Sequence, residues 1–123
     1  MSFKNPASPA RVLVVCLCAE WCGVCRDYRS RFLQAQSNFP LVQFLWIDVE
    51  DEADLLDPLD VEDFPTLLLA VGSEPHFFGP LTPQFETLER LIRSQMHNTS
   101  AAALLDPSVV ALVAKIRTRE RDD

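Results

Sequence analysis

From Arg11 to Ala19 the chain reads Arg-Val-Leu-Val-Val-Cys-Leu-Cys-Ala, a nearly unbroken apolar run rich in β-branched residues. Such a run suits a strand buried on both faces, at the centre of an α/β sheet. Val24, Tyr28, Phe32 and Ala35 then recur at helical spacing, which predicts a helix starting near Cys22. It should stop before Pro40, because the residue preceding a proline is pushed out of the helical region. Leu41 to Val49 is a second apolar run and a second strand. In the acidic stretch Glu50 to Asp63, a short helix is expected over Asp51 to Leu56, ended by Pro58. Thr66 to Val71 and Pro75 to Phe78 read as two further strands, with Gly72, Ser73 and Glu74 as the hairpin turn between them.

Thr82 as N-cap and Pro83 at the first helical position predict another helix, whose apolar stripe is Phe85, Leu88, Leu91 and Ile92. Asn98 to Ala103 is small and polar, as in a linker. Asp106-Pro107 opens a last amphipathic helix with Val109, Leu112, Val113 and Ile116 on one face. Its charged end, Arg117 to Asp123, is expected to fray. The order strand, helix, strand, helix, strand, strand, helix implies one parallel crossover followed by a hairpin. The fold class is therefore α/β, with a central mixed sheet of about four strands flanked by helices. The division expected is an N-terminal arm (1–10), one domain (11–97), and a linker with a C-terminal helix (98–123). At 123 residues the chain is long enough to bury a core of its own.

Charge narrows the partners. The net charge of -7 offers no basic face for phosphates, so nucleic acid is not an expected partner. No Lys or Arg occurs between Arg31 and Arg90, and acids crowd from Asp48 to Asp63. The run Val12 to Ala19 is too short to span a membrane, and Met1 to Ala10 shows no export signal, so no membrane association is expected. The expectation is a cytoplasmic monomer. In that compartment structural disulfides are rare. Cys16, Cys18, Cys22 and Cys25 fall within ten residues, and that clustering directs attention to redox or metal chemistry.

A Cys-x-x-Cys pair where a strand hands over to a helix has a specific use. Residues three apart in the first helical turn are close enough to form a disulfide without moving the backbone. Unpaired N–H groups and the helix dipole at that end stabilise the thiolate of the first cysteine. Cys22 would attack a substrate disulfide, and the more buried Cys25 would displace the substrate and close a Cys22–Cys25 bond.

The segment Ala19-Glu20-Trp21-Cys22-Gly23-Val24-Cys25-Arg26 resembles the active-site segment of thioredoxins. Phe64-Pro65-Thr66-Leu67-Leu68-Leu69, about forty residues later, resembles the thioredoxin segment that holds a cis-proline, and Gly79 falls where that family has a glycine beside the substrate groove. The resemblance covers roughly Arg11 to Met96. It implies a thioredoxin-like fold and a thiol–disulfide oxidoreductase acting on protein disulfides. Cys22 would be the nucleophile and Cys25 the resolving cysteine. Trp21, Gly23, Val24, Phe64, Pro65 and Gly79 would line the groove. The only redox group implied is the Cys22–Cys25 disulfide, with no cofactor and no metal. A thioredoxin reductase or a glutathione system would supply electrons. The alternative for Pro65 is a trans proline opening an edge strand.

Several positions depart from the family. Val24 replaces the proline usual between the two cysteines. Cys16 stands where thioredoxins keep a buried aspartate, and Phe44 where that aspartate has its lysine partner, so a buried ion pair gives way to less polar groups. The N-terminal strand and helix of full thioredoxins have no counterpart, and the helix after Asn98 is extra. Cys16 and Cys18 are most simply core residues of a buried strand. If Cys16 sits behind Cys25, a second, regulatory disulfide becomes available. Glu20, Asp27 and Asp48 are the candidates for a replacement proton acceptor, each also readable as a solvated acid. His76 and His97 have no companion at a useful spacing. The competing functions are a non-catalytic partner-binding module or redox sensor, and a thiol metal-binding protein.

Overall fold

The computed structural model describes residues 12–57, 59, 61–97 and 103–122. The expected N-terminal arm, Pro58 and most of the expected linker lie outside them. Strand β1 (Val12–Cys18) leads to helix α1 (Gly23–Asn38), strand β2 (Gln43–Asp48) and the one-turn helix α2 (Ala53–Leu56). Strands β3 (Thr66–Val71) and β4 (Glu74–Pro80) follow, then helices α3 (Phe85–His97) and α4 (Pro107–Asp122). The sheet order is β2-β1-β3-β4. β1 runs parallel to β2 and antiparallel to β3, and β3 and β4 form an antiparallel hairpin. This is the mixed four-strand sheet flanked by helices that the pattern predicts.

All seven residues of β1 are buried, so the central strand feeds two cores. Val12, Val14, Cys16 and Cys18 face a cluster closed by α1 and α3, with Tyr28, Phe32, Leu88 and Ile92. Leu13, Val15 and Leu17 face a second cluster closed by α4 through Val109, Leu112, Val113 and Ile116. Gly72 turns the hairpin at φ 62°, a left-handed conformation that suits glycine.

Three expectations shift. Strand β4 extends to Pro80, two residues beyond Phe78, because Gly79 and Pro80 still pair with Leu67 and Thr66. Helix α3 begins at Phe85 rather than next to Thr82, whose hydroxyl instead meets the Thr87 hydroxyl at 3.1 Å. The charged end of α4, expected to fray, is helical through Asp122, and Arg117 and Arg119 within it are tied down, as is Lys115 just before it. Lys115 Nζ donates to Asp57 O at 3.0 Å, Arg117 Nε to Gly72 O at 2.9 Å, and Arg119 Nη1 meets Glu52 Oε1 at 2.8 Å. These long side chains reach backbone and acids that only the folded chain brings near. At the other end of α4, Asp106 accepts from Ser108 N–H at 2.9 Å, the predicted cap.

Candidate active site

β1 ends at Cys18, and two turn residues, Glu20 and Trp21, bring the chain to Cys22 at the N-cap of α1. Cys22 is extended (φ -85°, ψ 122°), and its carbonyl accepts the first helical bond from Arg26 N–H at 3.1 Å. Its own N–H donates to Ala19 O at 3.0 Å, which tightens the turn. Its side chain makes no capping hydrogen bond, and the first turn of α1 contains no acid. The N–H groups of that turn therefore have no side-chain cap and remain open at the helix N-terminus beside Cys22.

Trp21 is 63 % exposed and packs edge-on against Phe64, with ring centroids 5.7 Å apart. Its indole N–H donates to Glu50 Oε2 at 3.0 Å. The Phe64–Pro65 peptide is cis, the geometry the resemblance implies for Pro65. Pro65 O accepts from Leu81 N–H at 3.1 Å, which ties the proline segment to the end of β4. The Trp21-Cys22 turn and the Phe64-Pro65 segment thus meet through their aromatic rings. Gly23 and Val24 are exposed in the first turn of α1. Gly79 lies on β4 opposite Leu67, two positions past Pro65.

The thiols are arranged differently from the expectation. Cys25, buried on the first turn of α1, is joined in a disulfide to Cys18, with the two Cα atoms 5.7 Å apart. Cys22 is a half-buried free thiol, and Cys16 a buried one. The disulfide in the structure is therefore Cys18–Cys25, and the expected Cys22–Cys25 bond is not formed in it. The sulfur behind Cys25 belongs to Cys18 and not to Cys16, so the Cys16–Cys25 disulfide is not formed. Cys16 Sγ lies 3.7 Å from Cys18 Sγ, and burial pushes its thiol well above the ordinary value, so it stays protonated. Phe44 packs edge-on against Phe32, with ring centroids 5.3 Å apart.

A cleft of about 510 Å³ opens beside Cys25, and Glu20, Arg26, Arg29, Trp46 and Asp48 are among its walls. Glu20 and Asp48, two candidate proton acceptors, share this cleft with Cys25. Asp48 is occupied structurally. Its carboxylate accepts from Glu20 N–H at 3.0 Å, Glu50 N–H at 2.9 Å and Asp51 N–H at 3.2 Å. Burial acts to raise the Asp48 carboxyl, but those three donors outweigh it and hold it below the usual carboxylate range. Asp27 and Glu20 are exposed. His76 Nε2 lies 3.7 Å from Glu74, away from the cysteines on β4. His97 is the last residue of α3. Among the described residues, no group of three or more His, Cys, Asp or Glu is placed to hold a metal. Nor is any helix among them long and apolar enough to cross a membrane.

The family described as Thioredoxin matches residues 2–91. A thioredoxin of Ophiophagus hannah is 32% identical over 88 residues, which cover 71% of this chain and 82% of that protein. Thioredoxin H2-1 of Oryza sativa subsp. japonica is 29% identical over 92 residues, covering 73% of this chain and 67% of the relative. An H-type thioredoxin of Picea mariana is 36% identical over 58 residues, 46% of its own length. Among solved structures, Fasciola hepatica thioredoxin superposes with a TM-score of 0.65 at 22% identity, over 72% of this chain and 84% of that one.

Proposed function

The chain belongs to the thioredoxin family and is a thiol–disulfide oxidoreductase; we propose that it acts on disulfides of protein substrates with Cys22 as the attacking thiol and Cys25 as the resolving one. The observation that carries this reading is the position of Cys22. It is the exposed-side thiol at an uncapped helix N-terminus, next to the Trp21–Phe64 contact and the cis Pro65 segment. From this position Cys22 can reach a substrate disulfide while Cys25, one helical turn on, lies behind it to resolve the mixed disulfide. Trp21, Gly23, Val24, Phe64, Pro65 and Gly79 form the groove for the substrate chain.

Electrons reach the protein from a thioredoxin reductase or a glutathione system, and the reducing cytoplasm is the compartment that suits this exchange. The test is reduction of insulin disulfides by the wild-type chain with dithiothreitol, then with each physiological donor system in turn. Turnover that depends on Cys22 is expected. Full activity in both Cys22→Ser and Cys25→Ser variants would refute the reading.

A further inference from the structure

Cys25 has two cysteine neighbours, and the structure bonds it to the one outside the Cys-x-x-Cys motif. Resting on the function proposed above, we propose that Cys18 is a third redox thiol. It takes Cys25 over from Cys22, so that the oxidised protein stores its disulfide inside as Cys18–Cys25 and keeps Cys22 as a reactive surface thiol.

Three observations carry this. Cys18 and Cys25 are bonded across the β1–α1 junction with Cα atoms 5.7 Å apart, inside the usual disulfide range. Cys22 lies one helical turn before Cys25 and packs against the same cluster that holds Cys16, Cys18 and Cys25. The Cys16 thiol, 3.7 Å from Cys18 Sγ, is a donor directed at the sulfur that must become a thiolate.

The exchange needs no outside oxidant beyond the substrate. Cys22 thiolate attacks the substrate disulfide; one substrate sulfur leaves as a thiolate and takes a proton. Cys25 thiolate then attacks Cys22 Sγ in the mixed disulfide and releases the second substrate thiol. Two electrons have passed to the substrate, and the protein holds Cys22–Cys25. Cys18, having given up its proton, next attacks Cys25 Sγ. The Cys22–Cys25 bond breaks, the Cys18–Cys25 bond forms, and Cys22 leaves as a thiolate that takes up the proton. This last step only moves the disulfide. It follows resolution, because only then does Cys25 Sγ carry the bond that Cys18 attacks, and the Cys16 S–H stands as a donor beside Cys18 Sγ.

Accessibility gives the arrangement its effect. Cys18 and Cys25 are 0% and 1% exposed, whereas Cys22 is half-buried. A reductant reaches a Cys22–Cys25 bond at Cys22 but must wait for an opening to reach Cys18–Cys25. The oxidised protein also retains one thiol that can attack, but whose mixed disulfide Cys25 is no longer free to resolve.

The chain itself makes the test direct, because Glu20 separates the two cysteine pairs. The reduced full chain is oxidised with one equivalent of diamide, then quenched in acid after seconds and after about an hour. Free thiols are alkylated with N-ethylmaleimide, and the chain is cut at Arg and Glu. Cys22–Cys25 stays within the piece Trp21–Arg26, whereas Cys18–Cys25 links that piece to Val12–Glu20. The expected result is a linked pair at the late time with Cys22 alkylated as fully as in the reduced protein. Cys18→Ser should abolish the link and lower Cys22 alkylation in the oxidised protein at least about tenfold, whereas Cys16→Ser should keep the link. Cys18→Ala is the second variant should the serine be poorly tolerated.

Separate pieces at the late time, with Cys22 blocked and insulin still reduced, overturn the third thiol and leave the proposed function standing. Loss of the link in Cys16→Ser but not in Cys18→Ser also overturns it. Absence of both insulin reduction and an oxidisable pair overturns the function and this inference together.

Discussion

The two faces of the sheet share their strands but not their chemistry. Under α4, the buried residues are Leu, Val, Ile and Ala throughout, from Leu13 and Leu17 to Leu112 and Ile116. Under α1 and α3, the buried residues include three cysteines and Tyr28, with Phe44, Trp46 and Phe64 packed on them. One strand serves both, because successive residues of β1 point to opposite sides. The aliphatic face can be optimised for packing alone. The thiol face must hold groups whose bonds change, and it carries polar atoms that packing alone would not select.

Cys22→Ser should break this division most sharply. It should lower insulin reduction by at least about a thousandfold while leaving the thermal midpoint within a few degrees of wild type. Leu112→Ala should do the reverse. A buried leucine truncated in the aliphatic cluster costs about 2–5 kcal/mol in denaturant unfolding, with turnover per folded molecule unchanged. Activity loss exceeding the unfolded fraction would show that the faces are coupled.

Smaller effects follow at the edges. Asp48→Ala removes the acceptor for three backbone donors and should destabilise by about 1–2 kcal/mol after allowing for its partial exposure. Because the native carboxyl is held low, its contribution is present above the unfolded value near pH 4 and fades as pH falls through the lowered native value. Stability of the wild type minus that of Asp48→Ala, measured against pH, should therefore shrink only in acid. Tyr28→Phe should stabilise by about 1 kcal/mol, since the buried hydroxyl has no hydrogen-bond partner among the described residues. A destabilised variant would reveal a partner for that oxygen. Finally, Glu62 and Asp63 are exposed just before Phe64-Pro65, so basic substrate segments should be favoured. Raising salt from about 0.05 to 0.5 M should reduce kcat/KM on a basic disulfide peptide roughly two- to fivefold. A salt-independent rate would remove the acidic rim from the account.

The architecture was legible because its signals were local. Pro40 follows closely on the end of α1 at Asn38, Gly72 turns the hairpin, and Asp106-Pro107 opens α4. The cis Pro65 was legible only through the resemblance, since nothing in the residues around it dictates the isomer. The pairing of the thiols was not legible. Alternation puts Cys16 and Cys18 on one face, but which of them lies under Cys25 depends on how α1 is rotated over the sheet, a tertiary quantity. The anchoring of Lys115, Arg117 and Arg119 was hidden for the same reason, since their partners Asp57, Gly72 and Glu52 are distant in sequence.

Cys22 also occupies the position where helices ordinarily gain stability from Ser, Thr, Asp or Asn. Such a cap is worth roughly 1 kcal/mol, and the chain forgoes it at α1, with no acid in the first turn to compensate. A side-chain oxygen there would satisfy those N–H groups, which the sulfur leaves open. The first turn of α1 is thus left without a side-chain cap in the resting fold, a stability given up at the position where the proposed chemistry needs sulfur. Selection for stability alone would fill that position with serine or aspartate and silence the protein.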